Sequence, residues 1–131
     1  MAKLSQEELL GIFKAVKSTL SPCEKGSMKA RFDLEGKYDL WSEKDLIDPL
    51  GKKRKEISFA TAIIQSSYVG FYFMPVYCCP AMIGTIDEDL MKLLKGKACF
   101  HIKSAGPELI DKINDAVKKG YAAYKKLGWV D

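Results

Sequence analysis

Apolar side chains recur at helical spacing near the start of the chain, at Leu9, Phe13, Val16 and Leu20. Ser5 and Glu8 have the spacing of a capping box, in which the Ser hydroxyl accepts a backbone N–H and the Glu carboxylate reaches back to the cap. Pro22 follows this stretch, and a proline disfavours a helical conformation in the residue before it. The pattern therefore predicts a helix over residues 5–20.

Residues 28–41 predict two antiparallel strands. Charged residues alternate over 28–34 with apolar ones, namely Met28, Ala30, Phe32 and Leu34. Such alternation is typical of a strand with one buried and one solvent-facing side. Glu35 and Gly36 then mark a turn into a second strand over 37–41.

The apolar pattern also selects a register for this strand pair. An odd-numbered loop would place Phe32 opposite Leu40, whereas a two-residue loop would place Phe32 opposite Asp39. A slip of one residue moves an apolar set to the wrong face, so we expect the odd loop. That register sets Arg31 across from Trp41 on the outer face, where the two side chains form a cation–π pair.

Two further strands, over 57–67 and 68–77, are rich in β-branched and aromatic residues, and the second is expected at the centre of the predicted sheet. The second carries large side chains on both faces, so it is either covered on both sides or lines a groove. A short helix is expected over 87–95, begun by a capping box of Thr85 and Glu88 and ended at Gly96. A fifth strand over 98–103 and a long helix from Pro107 to about residue 127 follow.

This order of elements predicts one α+β domain over residues 1–131. We expect a two-layer sandwich in which the N-terminal and C-terminal helices pack on an antiparallel sheet of about five strands. The composition agrees, because 131 residues with 47% hydrophobic and 29% charged side chains are typical of one globular domain. A chain of this length buries enough surface to fold without a disulfide or a structural metal.

The sequence indicates a cytoplasmic protein with no membrane partner. Its first residues are polar and acidic where a signal peptide is apolar. The longest apolar stretch, 69–82, is too short for a membrane span and contains Gly70, Pro75 and Pro80. In that compartment we expect reduced thiols at all four cysteines, which are Cys23, Cys78, Cys79 and Cys99.

The aromatic stretch 68–77 supports the leading functional hypothesis, a non-enzymatic binding module with a groove for a small molecule or a side chain of a protein partner. We predict that Trp41 and Tyr72 stack on the ligand, that Arg31 binds an anion and that Tyr77 makes a hydrogen bond. Core packing is the alternative for these rings. The sequence contains no phosphate loop, dinucleotide fingerprint or serine-hydrolase elbow, so no enzyme class is indicated.

A metal site is a second hypothesis. Cys99 and His101 are two residues apart in a predicted strand, so their side chains point to the same side, and both residue types bind transition metals. The Cys78-Cys79 loop would complete such a site if it lay over this strand. Simple packing of the thiols is the alternative, because no Cys-x-x-Cys spacing occurs. A cysteine nucleophile activated by His101 is a further alternative, although about 6–7 Å separates the two positions.

The run Lys52, Lys53, Arg54 and Lys55 is a third candidate site, in a chain with a net charge of +4. It would bind nucleic acid if it joined Arg31 and exposed aromatic residues on one surface. A solvated turn is the alternative. The net charge is far below that of a dedicated nucleic-acid-binding protein, so we expect any such binding to be weak. Dimerisation through an edge strand of the sheet is also left open.

Four segments of this sequence resemble the YdhG-like family of small bacterial proteins, largely a domain of unknown function. They are 71–77 (FYFMPVY), 94–103 (LKGKACFHIK), 119–121 (KGY) and 128–129 (GW), and the likeness extends over about 37–129. The resemblance implies an α+β fold with an antiparallel sheet and no established activity. Part of the family is linked to frataxin-like iron handling, which makes an iron-binding or iron-chaperone protein the alternative function. In that case Glu7 and Glu8 are the carboxylates that the first helix offers, and iron or another transition metal is the cofactor to consider.

Overall fold

A six-stranded antiparallel sheet and a separate two-stranded hairpin form the β-structure of the computed structural model, which describes residues 4–131. The strands are β1 (Met28–Leu34), β2 (Lys37–Ser42), β3 (Leu46–Ile47), β4 (Lys53–Arg54), β5 (Ile57–Ile64), β6 (Val69–Phe73), β7 (Leu94–Lys95) and β8 (Cys99–Ile102). The helices are α1 (Gln6–Leu20), α2 (Pro75–Cys78), α3 (Glu88–Met91) and α4 (Pro107–Lys126), with 3-10 turns at Ser21–Cys23 and Pro80–Thr85. The large sheet has the order β1-β2-β5-β6-β8-β7, and β3 pairs with β4 inside the β2–β5 connection.

The two long helices, α1 and α4, contact each other and pack on the same face of the sheet. The inward side chains of the two central strands, β5 and β6, are buried beneath them: Ala60, Ala62, Val69, Phe71 and Phe73. The predicted α+β sandwich is therefore confirmed, with β5 and β6 at its centre. The sheet has six strands because residues 94–95, expected at the end of a helix, pair with β8 as an edge strand. In the described part of the chain, no helix combines the length and apolar character needed to cross a membrane.

Helix α4 approaches β6 unusually closely at Gly120. A Cβ atom added to Gly120 would lie 2.5 Å from Cζ of Phe73 and 2.8 Å from Cγ of Pro75. One turn later, Tyr124 packs edge-to-face on Phe59 and donates a 2.7 Å hydrogen bond to the carbonyl of Ser58. The absence of a side chain at Gly120 is thus what allows α4 to settle on the sheet.

The first capping box is confirmed and the second is wrong. The backbone N–H of Glu8 donates to Ser5 Oγ, and the N–H of Ser5 donates to the Glu8 carboxylate, both at 3.1 Å. The cap of α3 is Asp87, whose Oδ1 accepts the N–H groups of Asp89 and Leu90. Aspartate is a stronger N-cap than threonine, so Asp87 displaces Thr85 from that role.

The end of α3 differs from prediction for a related reason. The helix stops at Met91, and Gly96 lies in the turn between β7 and β8 with φ +85°. This left-handed conformation suits a hairpin turn as well as a helix terminus, so the glycine alone does not distinguish the two.

The predicted odd loop between β1 and β2 is also wrong. Leu34 pairs with Lys37, so the loop is the two-residue Glu35-Gly36 turn, and Phe32 stands opposite Asp39. Gly36 has φ +93°, a left-handed conformation that this tight turn places at its second residue and that glycine adopts without strain.

A bulge at Arg31 reconciles this turn with the apolar pattern. The register shifts between Ala30 and Phe32, so Ala30 still pairs with Leu40. The side chains of β1 beyond the bulge therefore point to the opposite face from the one predicted. Phe32 and Leu34, predicted to face the core, are instead 45% and 58% exposed. The bulge thus leaves two large apolar side chains at the exposed end of β1.

Candidate ligand-binding site

A cavity of about 410 Å³ opens between β2, the β3–β4 hairpin and α2. Its lining is largely apolar, from Trp41, Pro49, Leu50, Ile57, Met74, Tyr77 and Cys78. The polar members are Asp48, Arg54, Glu56 and Ser58. Small-molecule sites in proteins commonly have this size and this mixture of an apolar wall with a few polar groups.

Tyr77 reaches the cavity because the strand before it ends early. The predicted strand over 68–77 stops at Phe73, since Pro75 has no N–H for the sheet and instead takes the first position of α2. The N–H of Met74 makes the last bond to the sheet, to the carbonyl of Phe59 at 2.9 Å. The helical turn carries Tyr77 out of the sheet and leaves its side chain 50% exposed.

The indole of Trp41 is held by hydrogen bonds from its N–H and by a cation–π contact on its ring face. Its indole Nε1–H donates to both carboxylate oxygens of Asp39, at 3.1 and 3.0 Å, and Thr61 Oγ1 donates to the same carboxylate at 2.7 Å. The guanidinium Cζ of Arg31 lies 4.3 Å from the centroid of the indole ring. The predicted Arg31–Trp41 contact is therefore confirmed, although the backbone partner of Trp41 is Lys29.

Arg31 itself is occupied by carboxylates. Its guanidinium lies 3.4 Å from Glu43 Oε2 and also pairs with Glu56, whose side chain lines the cavity. The structure thus places Arg31 against the indole and pairs it with two carboxylates, and its predicted role in binding an anion stays a prediction.

Asp48 organises the hairpin side of the cavity. Its Oδ1 accepts the backbone N–H groups of Leu50 and Lys52, both at 2.9 Å, and its Oδ2 accepts the Nε–H of Arg54 at 2.6 Å. The hydrogen bond from Arg54, followed by that from the Lys52 backbone, holds the pKa of the Asp48 carboxyl below its ordinary value. These bonds fix a loop whose two strands have only two residues each.

Tyr72 lies outside this cavity. It projects from the outer face of β6, with Thr61 of β5 and Cys99 of β8 as its cross-strand neighbours, and is 40% exposed. A hydrogen bond with the Cys99 side chain is the main cause that raises the pKa of the Tyr72 phenol. Of the four predicted contacts, Trp41 and Tyr77 therefore line one cavity, Arg31 stacks behind Trp41, and Tyr72 is separate.

Cys99 and His101 do share the outer face of β8, as predicted from their spacing. The His101 ring stacks on Tyr68 with a centroid distance of 3.8 Å, and burial raises the pKa of the Cys99 thiol. Cys78 lines the cavity instead of joining them. Among residues 4–131, no three His, Cys, Asp or Glu side chains come together as a metal site would require.

The basic run 52–55 lies in the hairpin, with only Lys53 and Arg54 in strand β4. All four of its residues are exposed. Arg54 lines the cavity, where it bonds Asp48. One residue of the run thus joins Trp41 at the same site.

Sequence reasoning did not find the contributions of Leu50, Met74, Asp48 and Glu56. The segment 43–56 carries Asp48-Pro49 and Gly51, which indicate a turn, but strands of two residues are too short to produce an alternating pattern. The signal that could have indicated this wall was Leu50, an apolar residue in a polar loop. In the structure its side chain is 79% exposed.

A scan against protein-family models, a search of curated proteins and a search of solved structures find no match to this chain. The YdhG-like resemblance therefore stays a prediction from the four sequence segments.

Proposed function

We propose that this protein is a non-enzymatic binding module that holds a small organic molecule in the cavity between Trp41 and Tyr77. The observation that carries the proposal is the convergence of these two aromatic side chains, from β2 and α2, on one cavity of about 410 Å³. Neither ring is fully buried in the core, so both keep surface that a ligand would cover. Covering apolar surface is the main source of affinity at such sites.

Preorganisation of the aromatic wall supports the same proposal. Asp39 and Thr61 fix the indole of Trp41 through hydrogen bonds, and Arg31 covers one face of the ring. A side chain that is already fixed loses little conformational freedom when a ligand binds. Leu50, which is 79% exposed at the tip of the hairpin, is the adaptable part of the wall.

The chemistry of Cys78 favours binding over catalysis. It is the thiol that lines the cavity, and burial raises its pKa above the ordinary value. A raised pKa keeps the group protonated at neutral pH, whereas a nucleophilic cysteine needs a stabilised thiolate. A cytoplasmic location is part of the same proposal, since a reducing compartment preserves this thiol. Membership of the YdhG-like family is also part of it.

Weak nucleic-acid association is a second candidate, favoured by one observation. Arg54 of the basic run lines the same cavity as Trp41, and Arg31 stacks on that indole, so basic and aromatic groups do meet on one surface. Both guanidinium groups are paired with carboxylates, so Lys52, Lys53 and Lys55 would supply most of the phosphate contacts. Binding of single-stranded RNA that weakens steeply with salt, and less steeply after neutralisation of these lysines, is the expected result.

The proposed pocket is tested with the neutral fluorescent probe N-phenyl-1-naphthylamine, whose emission rises in apolar surroundings. Tyr77→Ala is expected to lower its affinity at least about 5-fold, because the variant removes one aromatic wall. Tyr72→Ala is the matched control: it removes a similarly exposed tyrosine from outside the cavity, and affinity should stay at the wild-type level. Equal losses in both variants, or no loss in Tyr77→Ala, would refute the pocket.

Native mass spectrometry of the freshly purified protein complements the probe. An organic adduct that dissociates on denaturation would identify the ligand class directly. A mass that matches a metal ion instead would favour the iron-binding alternative and would count against the proposal.

A further inference from the structure

An exposed lysine stands beside the aromatic wall of the cavity. Lys97 lies in the turn between β7 and β8, and its Nζ is 5.5 Å from the centroid of the Tyr77 ring. This is a cation–π distance, so the ammonium group is held near the ring without a counter-ion of its own. No ion pair with another described residue engages Lys97, whereas Asp48, Arg54 and Glu56 are all paired.

The carboxylates of the lining are already neutralised within the protein. Asp48 pairs with Arg54, and Arg31 pairs with both Glu43 and Glu56. Lys97, in cation–π contact with the Tyr77 ring, has no such partner among the described residues. In addition, Arg54 bonds Asp48 through Nε, which leaves its two terminal nitrogens for a ligand, and its side chain is 55% exposed.

The hairpin loop is poorly suited to a phosphate group. Phosphate sites are commonly built from several free backbone N–H groups of a loop or a helix start. Here the N–H groups of Leu50 and Lys52 donate to Asp48 Oδ1, and that of Gly51 donates to the Asp48 carbonyl. The loop amides are therefore taken, so an anionic group would be bound by side chains, of which Arg54 lines the cavity and Lys97 contacts the Tyr77 ring.

Resting on the function proposed above, we infer that the cavity takes a planar aromatic molecule with a single negative charge, of the aromatic carboxylate or sulfonate class. The ring lies against Trp41 and Tyr77. Lys97, supported by the terminal nitrogens of Arg54, binds the anionic group at the cavity mouth.

Two probes with the same ring system separate this inference from the pocket itself. N-phenyl-1-naphthylamine is neutral, and 8-anilino-1-naphthalenesulfonate carries one negative charge. Lys97→Gln is expected to lower the affinity of the sulfonate about 3- to 10-fold and to leave that of the neutral probe unchanged. Lys14→Gln, the same charge change on an exposed position of α1 away from the cavity, should alter neither.

The outcomes distinguish a failure of the charge assignment from a failure of the pocket itself. If the neutral probe binds and is sensitive to Tyr77→Ala, but Lys97→Gln leaves sulfonate affinity at the wild-type level, the pocket stands and the charge assignment is overturned. Equal losses for both probes in Lys97→Gln also overturn it, since the lysine then acts only by packing on Tyr77. If neither probe binds the wild-type protein, the pocket and the inference fail together.

Discussion

Arg54 donates a 2.6 Å hydrogen bond from Nε to Oδ2 of Asp48, and this pair links strand β4 to the loop that follows β3. The hairpin has two paired residues on each strand, far fewer than an independently stable hairpin needs. Its other anchor is at the C-terminal end of the chain, where the indole Nε1–H of Trp129 donates to the carbonyl of Ile47 at 3.0 Å. One wall of the cavity therefore depends on a few side-chain bonds instead of a β-ladder.

Replacing Asp48 by Asn should loosen this wall. The variant keeps the shape of the side chain but loses the charge that binds Arg54, and a charge-assisted bond is stronger than a neutral one. We expect a melting temperature lower by about 2–6 °C and weaker binding of N-phenyl-1-naphthylamine. Asp45→Asn, at an exposed position in the same connection, should change neither quantity.

The effect of Asp48 should depend on pH in a defined direction. Its pKa is lowered in the folded protein, so its charge stabilises the fold above the unfolded-state pKa of about 3.9. That contribution is lost as the pH falls through the lower folded-state pKa. Denaturation at pH 7, 5 and 3 should show a gap between wild type and Asp48→Asn that is full at pH 7 and 5 and shrinks at pH 3. A gap that grows on acidification would contradict this account.

Gly120→Ala is expected to destabilise the protein, against the usual preference of helices for alanine. The added Cβ would lie 2.5 Å from Cζ of Phe73, which is fully buried and cannot move aside without disturbing its neighbours. We expect a loss of about 1–3 kcal/mol in the free energy of unfolding, measured with urea.

Gly11→Ala provides the control for that experiment. Gly11 lies inside α1, and a Cβ there would meet nothing within 4 Å. This variant should stabilise the protein by up to about 1 kcal/mol, the ordinary difference in helix propensity. Two glycine-to-alanine changes of opposite sign would confirm the close contact of α4 with β6, and a stabilising Gly120→Ala would disprove it.

The raised pKa of the buried Tyr124 phenol should make stability depend on pH under alkaline conditions. Burial is the main cause that raises its pKa, with Cys78 and Cys79 adding to it. Because the folded pKa lies above the unfolded value of about 10, the contribution of Tyr124 to stability is constant below pH 10 and falls above it, as the unfolded chain ionises first.

The Tyr124→Phe variant isolates this contribution. Above pH 10, the free energy of unfolding of wild type should fall with an additional slope of up to about 1.4 kcal/mol per pH unit compared with the variant. The variant should also be less stable at pH 7, because it loses the bond to the Ser58 carbonyl. Parallel slopes in the two proteins would mean that Tyr124 ionises freely in the folded state.

Local sequence signals predicted the elements whose determinants are themselves local. The Ser5–Glu8 capping box fixed the start of α1, and Pro107 marked the start of α4. The predictions that failed depend on competition between signals. A glycine turn at Gly36 together with a bulge at Arg31 outweighed strict alternation in β1, and Pro75 ended β6 before its aromatic run was complete.

The candidate site was predicted only in part, because some of its determinants are local and others join distant residues. Trp41 and Tyr77 were identified from aromatic enrichment, and the contact of Arg31 with Trp41 from strand parity. Their grouping with Tyr72 assumed that the strand continued to Tyr77, which the turn into α2 prevents. The hairpin wall depends on the tertiary bonds of Asp48 and Trp129, and such bonds between distant residues leave no periodic trace in a sequence.

The two indole N–H resonances of the protein report directly on whether Trp41 lines a ligand site. Trp41 Nε1–H is bonded to Asp39 beside the cavity, and Trp129 Nε1–H is buried against Ile47, so the second signal is an internal control. Titration of ¹⁵N-labelled protein with N-phenyl-1-naphthylamine, with assignment by Trp41→Phe, should shift the Trp41 signal saturably and leave that of Trp129 nearly unmoved. Saturable probe binding with a stationary Trp41 signal would show that the probe binds elsewhere and that Trp41 does not line the site.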